Sequence, residues 1–312
     1  MPADLMERMV VDSAMASAVR IIASDGSDAE VTPAMASALA AIREVEATCS
    51  RFDPASELSL ANARTTGCHE ASGLLLTMIS LAVAGYHSTS GRFDPRVLTD
   101  LERMGYDRTF TELEAASGSV GDRAALAPWS PVVDLEHGVL DLRGEAIDLG
   151  GVAKGAAADL GLAAMAAVGV HGLIDIGGDG AVSGPDAAGA AWSIGIEDPH
   201  GGSEPLAVFS LALGGYATSS TRLRHWEIDG APVHHLVDPI SGQPGGSGLR
   251  SVTVLAPSGS QAEIAAKAAF LAGVEGIAGH AAERALACFW VDDSGRSSWS
   301  DAFAPSLTWI RS

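Results

Sequence analysis

The segment Ala146-Ile147-Asp148-Leu149-Gly150-Gly151-Val152-Ala153-Lys154-Gly155, followed by Ala156-Ala157-Ala158-Asp159, constrains this chain more than any other stretch. An apolar run ends in a carboxylate, two glycines turn the backbone, and an alanine-rich helix follows. The first N–H groups of a helix have no partner within it and lie at the positive end of its dipole. The segment therefore has the form of a phosphate site, with Lys154 as its cation. A glycine-rich turn with a surface lysine fits the same letters equally well. A P-loop is excluded, because GxxxxGK[ST] is absent. The glycines of 177–184 are not followed by the helical pattern that a dinucleotide fingerprint requires.

Around this segment the periodicity predicts a strand at 14–24 and a helix at 32–49, with Thr32 as N-cap and Pro33 first in the helix. Ser56-Glu57-Leu58 opens a turn, 72–89 is an apolar helix, and 105–131 reads as a surface excursion without periodicity. Strands at 132–135 and 138–142 precede the helix at 152–168, a strand at 172–176 and a turn over Gly177–Gly180. Further strands are expected at 190–197, 206–213, 250–256 and 287–292. A hairpin is expected around Asp229-Gly230 within 218–237, and helices at 261–272 and 275–286. Hairpins mix with helices without strict βαβ alternation, which predicts an α+β fold with largely antiparallel sheets.

The 312 residues are 47% hydrophobic, enough for one large domain or two modest ones. Net charge is −20, from 19 Lys and Arg against 39 Asp and Glu. Such a surface repels nucleic acid and anionic membranes, and it makes any local cluster of cations informative. Cys49, Cys68 and Cys288 have no CxxC spacing and read as reduced thiols of a cytoplasmic protein. No basic region leads into an apolar stretch at the start. The longest apolar run, Leu74–Gly85, is far short of the ~20 residues that span a bilayer.

Three other segments can carry chemistry. His234 and His235 end a strand, so their side chains point to opposite faces; one can face a pocket, or both can be structural. Thr218-Ser219-Ser220, with Arg222, Arg224 and His225 nearby, can bind phosphate or form a turn. Ser260 and Glu263 read as a capping box, and Glu263 with Lys267 as an i,i+4 pair. GxSxG and HExxH are both absent.

Taken in order, these segments resemble the FAD:protein FMN transferase family, the ApbE-like flavin transferases. The resemblance rests on Ala14-Met15-Ala16-Ser17, Ser50-Arg51-Phe52 with Ser56-Glu57-Leu58 and Asn62, and Gly91-Arg92-Phe93-Asp94-Pro95. It continues through Asp148–Gly155 with Asp159, Gly177-Gly178-Asp179, Ala217-Thr218-Ser219, His235-Leu236-Val237-Asp238-Pro239 with Gly242, and Ser251–Val254. It implies a T-fold-like α+β architecture over residues 1–312, as one domain or two intertwined lobes, with a ligand cleft between lobes. It implies FAD contacts from Met15, Phe52, Arg92, Phe93, Asp94, Asp148, Lys154, Thr218, Ser219, His234, His235 and Lys267. Phe52 replaces a tyrosine, which keeps stacking and loses a hydroxyl. His235 and Lys154 are the implied catalytic residues. FMN is expected to pass to a Thr or Ser hydroxyl of an acceptor protein, with AMP released. Mg2+ is the expected cofactor, held by the Gly151 carbonyl and Glu263.

One departure bears on that metal. Where the family usually has Ala-Asp-x-x-x-Thr, this chain has Ala262-Glu263-Ile264-Ala265-Ala266-Lys267. A protonated lysine cannot ligate a metal. Either Glu263 binds Mg2+ through a water, or the Lys267 ammonium takes the metal's place. A flavin-storage protein without transferase activity, and an FAD pyrophosphatase yielding FMN and AMP, are the alternative functions.

Overall fold

The structure is a computed structural model that describes residues 8–110 and 118–311. In chain order, β1 (Arg8–Ala14), β2 (Ser17–Ala23), α1 (Asp28–Cys49), α2 (Glu57–Asn62), β3 (His69–Glu70), α3 (Gly73–Ser88) and α4 (Leu98–Arg103) come first. They are followed by β4 (Val132–Asp134), β5 (Val139–Asp141), α5 (Ala153–Ala166), β6 (Gly172–Ile176), β7 (Asp179–Ser183), β8 (Trp192–Ile196) and β9 (Ala207–Leu211). Next come β10 (Gly214–Ser220), β11 (His225–Ile228), β12 (Ala231–His234), β13 (Val237–Asp238), β14 (Gln243–Pro244) and β15 (Leu249–Ala256). The chain ends with α6 (Gly259–Phe270), α7 (Gly273–Glu283), β16 (Ala287–Asp292), β17 (Ser297–Trp299) and β18 (Leu307–Ile310).

The central sheet has eight strands in the order β1-β2-β6-β7-β10-β15-β16-β17, and every pairing in it is antiparallel. The fold is mixed α+β with largely antiparallel sheets. Helix α5 packs between α1 and α6 and against β7. Its small residues allow this: a Cβ at Gly161 would meet Ile174 Cδ1 at 2.6 Å, and one at Gly155 would overlap the Gly259 carbonyl. Helices α5 and α6 therefore touch backbone to backbone, which brings Lys154 of one beside Glu263 of the other. Helix α3 is the apolar run, with Leu75, Leu76, Met78, Ile79 and Ala82 buried. Among the described residues no helix is long and apolar enough to cross a membrane.

Several elements differ from the periodicity. The strand expected at 14–24 is the second half of a hairpin whose turn, Met15-Ala16, holds both residues at positive φ, 54° and 52°. Helix α1 starts at Asp28, because Ser27 and Glu30 form a capping box: Glu30 Oε2 accepts from Ser27 N–H at 2.9 Å and from its hydroxyl at 2.7 Å. Thr32 and Pro33 thus lie inside the helix. Ser56 caps a short helix by accepting the Ser59 N–H at 3.0 Å. Of the excursion at 105–131, residues 111–117 lie outside the described residues. Parts of the rest reach the interior: Trp129 is buried, and Arg123 donates to Asp100 Oδ2 at 2.7 Å.

Thr218-Ser219-Ser220 belong to β10 in the central sheet, while the hairpin on Asp229-Gly230 joins β11 to β12. Helix α6 begins at Gly259 with Ser258 as N-cap, its hydroxyl accepting the Gln261 N–H at 3.3 Å. The Ser260–Glu263 capping box does not form, because both side chains are drawn across to α5. Strands β17 and β18 extend the chain past the last strand that periodicity showed.

Candidate functional site

One cleft collects the β1–β2 turn, the end of α1, the Arg92–Pro95 loop, the entry to α5, one side of α6 and the segment around Arg224 and His235. Its empty space is about 1220 Å³ with the open mouth included.

One wall is aromatic. Phe52 and Tyr106 have ring centroids 5.6 Å apart, and the Arg51 guanidinium carbon sits 4.1 Å from the first centroid and 4.5 Å from the second. Arg51 Nη1 donates to the Tyr106 carbonyl at 2.7 Å, and Nε lies 3.5 Å from Asp148 Oδ2. Its Nη2 is buried without a partner. Asp148 ties the double-glycine turn down: its N–H donates to the Pro95 carbonyl at 2.7 Å, and its Oδ1 accepts the Gly150 N–H at 2.7 Å. Asp94 is committed to Arg96, which donates from Nε at 3.0 Å and from Nη2 at 2.6 Å.

Beneath this wall lies a buried triad. Lys154 forms an ion pair with Asp179 and lies 3.5 Å from Glu263 Oε1. Asp179 Oδ1 accepts the Thr218 N–H at 2.9 Å, and Glu263 Oε2 accepts the Gly155 N–H at 2.9 Å. Burial alone would pull the Lys154 ammonium pKa down, but Asp179 and Glu263 outweigh it and hold it above its ordinary value. Burial pushes Glu263 up, against the opposing pull of Lys154. The entry to α5 is thus partly closed to a ligand: its Ala153 N–H goes to Leu149 and its Gly155 N–H to Glu263.

Lys267 differs from Lys154. It lines the cleft half-buried, and among the described residues its side chain makes no hydrogen bond and no ion pair. Burial lowers its pKa, with Asp148 and Glu263 opposing. His235 also lines the cleft, with Nδ1 3.2 Å from the Arg224 carbonyl. A carbonyl only accepts, so Nδ1 carries the proton and Nε2 keeps its lone pair. Burial, and the cations Arg224 and Lys267, push the His235 pKa well down.

Met15, Phe52, Arg92, Phe93, Asp94, Asp148, Lys154, His235 and Lys267 line the cleft. Gly151, Thr218, Ser219, His234 and Glu263 do not. The Thr218 hydroxyl pairs with that of Thr253 at 2.8 Å, and the His234 ring stands edge-on to Phe270. Arg51, Tyr106 and Asp179 were not among the residues expected to form the site, whereas Arg224 was read as a cation beside a possible phosphate site. Arg51 and Asp179 stand inside the matching motifs, where their chemistry was a usable signal; Tyr106 carries none in its spacing.

The site does not fit a magnesium ion. Mg2+ wants near-octahedral oxygen ligands, commonly one or two carboxylates with waters and phosphate oxygens. Both Glu263 oxygens are engaged, and the Lys267 ammonium lies against Gly151, where a Cβ would overlap its Nζ.

The ApbE family model matches residues 15–290. The chain belongs to the ApbE family. A FAD:protein FMN transferase from Treponema pallidum (strain Nichols) is 39% identical over 85 residues, 27% of this chain and 24% of the relative. One from Rhodobacter capsulatus is 29% identical over 191 residues, 60% and 36% of the two chains. These matches span between a quarter and little more than a third of the length of the curated relatives. The crystal structure of the ApbE protein from Thermotoga maritima superposes with a TM-score of 0.85 at 25% identity, over 97% of this chain and 100% of that one. Flavin transferase ApbE from Vibrio cholerae has the same fold, with a TM-score of 0.77 at 21% identity over 97% and 99%.

Proposed function

We propose that this ApbE-family protein binds FAD in the cleft and transfers the FMN half to a Thr or Ser hydroxyl of an acceptor protein, releasing AMP. One observation carries the reading. In a chain of net charge −20, Arg92, Arg224 and Lys267 face the cleft with no ion-pair partner among the described residues. Uncommitted cations in an acidic protein fit a polyanionic ligand. The wall of Phe52 and Tyr106 beside them fits a flat ring. The relatives named FAD:protein FMN transferase support the same reaction class.

Phosphoryl transfer needs in-line placement and neutralised phosphate charge more than covalent chemistry. The acceptor hydroxyl oxygen attacks the phosphorus on the flavin side. The bond from that phosphorus to the bridging oxygen breaks, and AMP leaves with the electron pair. His235 Nε2 is the free lone pair in the cleft that takes the hydroxyl proton. Arg92, Arg224 and Lys267 neutralise the phosphates, and Lys154 holds α5 and α6 in place through Asp179 and Glu263. Magnesium takes no step in this scheme. The unpaired Cys49, Cys68 and Cys288 support a reducing, cytoplasmic setting for the acceptor.

The test is incubation of the purified protein with FAD and a Thr-bearing acceptor domain. Covalent flavin fluorescence on the acceptor together with free AMP is expected. FMN and AMP without labelled acceptor would establish the pyrophosphatase instead. Intact FAD retained on the protein would establish a storage role, and no FAD binding refutes all three.

A further inference from the structure

We infer that the Lys267 ammonium stands in for a divalent cation, neutralising the pyrophosphate of the bound dinucleotide so that flavin binding requires no metal. The inference rests on the flavin reading above and concerns how that site handles phosphate charge.

The argument is one of commitments. Five cationic side chains line the cleft: Arg51, Arg92, Lys154, Arg224 and Lys267. Arg51 is paired with Asp148, and Lys154 is held between Asp179 and Glu263. Lys267 reaches the same cleft from one helical turn beyond Glu263, yet it contacts neither carboxylate within ion-pair distance among the described residues. An ammonium placed in a half-buried cleft with no carboxylate within ion-pair distance is costly unless a ligand supplies a closer counter-charge.

Gly151 makes the placement possible. A Cβ there would overlap Lys267 Nζ and come within 2.9 Å of both Lys267 Cε and Phe93 Cε2. The bare glycine therefore leaves a slot that the lysine stem fills, directly against the double-glycine turn.

The same geometry disfavours a metal. A doubly charged ion within ~4 Å of that ammonium would be repelled across a poorly screened gap. Glu263 already has Oε2 on the Gly155 N–H and Oε1 3.5 Å from Lys154, so part of its charge is spent. One singly charged donor set into the polypeptide, with Arg92 and Arg224 beside it, supplies the charge that a dinucleotide pyrophosphate needs, without an ion to recruit.

A flavin-fluorescence titration of the protein with FAD, in EDTA and in millimolar Mg2+, tests this. Wild-type affinity should agree within twofold between the two conditions. Lys267→Met keeps the stem and removes the charge; its Kd should rise about 10- to 100-fold, the loss of one charged hydrogen bond. Binding that Mg2+ tightens tenfold or more overturns the inference but leaves the flavin reading standing. A Lys267→Met variant that binds as tightly as wild type also overturns it. Wild type that binds no FAD in either condition removes the flavin reading and this inference together. Should Lys267→Met fail to fold, Mn2+ electron paramagnetic resonance on the wild-type FAD complex decides. No bound Mn2+ beyond that taken up by free FAD is expected, and a protein-bound Mn2+ signal refutes the inference.

Discussion

Asp159 offers the sharpest test of how the site is held together. It sits on α5, and its carboxylate accepts the Gly259 N–H at 2.7 Å, the Ser260 N–H at 3.0 Å and the Ser260 hydroxyl at 2.8 Å. Those two N–H groups are orphans of the first turn of α6; the third, on Gln261, goes to Ser258. Asp159 thus caps a neighbouring helix from a distance of about a hundred residues in sequence. Charged hydrogen bonds of ~1.5–3 kcal/mol each would put a ceiling of ~5–9 kcal/mol on its removal. Asp159 is half-buried, so water replaces part of the loss, and single N-cap deletions reach ~2 kcal/mol. Asp159→Ala should therefore cost ~2–4 kcal/mol, and Asp159→Asn, which keeps one acceptor, ~1–2 kcal/mol. Urea denaturation followed by far-ultraviolet circular dichroism measures this directly. Thermal melts should fall by ~5 °C for a loss of ~3 kcal/mol. Because α6 carries Glu263 and Lys267, FAD affinity should fall along with stability. An Asp159→Ala protein within ~0.5 kcal/mol of wild type would refute the cap argument.

Three further outcomes follow from the geometry. Gly155→Ala drives a methyl into the Gly259 carbonyl across the α5–α6 contact, so it should destabilise by ~3 kcal/mol or more; a melt close to wild type would disprove that close approach. His280 is buried with Nε2 unpartnered, and burial, with Arg284 and Arg92, lowers its pKa to about 4. Its folded pKa is thus below the unfolded value, so its contribution is complete above ~6.5 and is lost as pH falls toward 4, up to ~3 kcal/mol in all. His280→Leu should flatten stability against pH over that window, and an unchanged slope would exclude His280 as its source. Arg51→Met removes the guanidinium stacked on Phe52 and Tyr106 and should raise the FAD Kd ~10-fold, or ~1.4 kcal/mol; a Kd within twofold would confine Arg51 to a structural role.

The α+β class was legible because it follows from local pattern. Period-two and period-3.6 stretches, glycine turns and the lack of βαβ alternation are properties of short windows. The boundaries that slipped did so where two local signals competed. Thr32-Pro33 is a plausible helix start, but Ser27 and Glu30 close a reciprocal cap five residues earlier and extend the helix. The Met15-Ala16 turn escaped notice because non-glycine residues at positive φ leave no letter to read.

The candidate site divides along the same line. The letters alone placed Asp148, Lys154 and His235 among chemically capable residues, and the order of motifs pointed to the ApbE family, since residue type and spacing are carried by the chain itself. The sequence could not determine which charges are already committed. Glu263 and Lys267 look like an ordinary i,i+4 pair on one helix. Only the backbone contact of α5 with α6 turns Glu263 toward Gly155 and Lys154 and leaves Lys267 without an ion-pair partner among the described residues. Ion pairing acts over a few ångströms between residues about a hundred apart in sequence, so its outcome belongs to the tertiary structure.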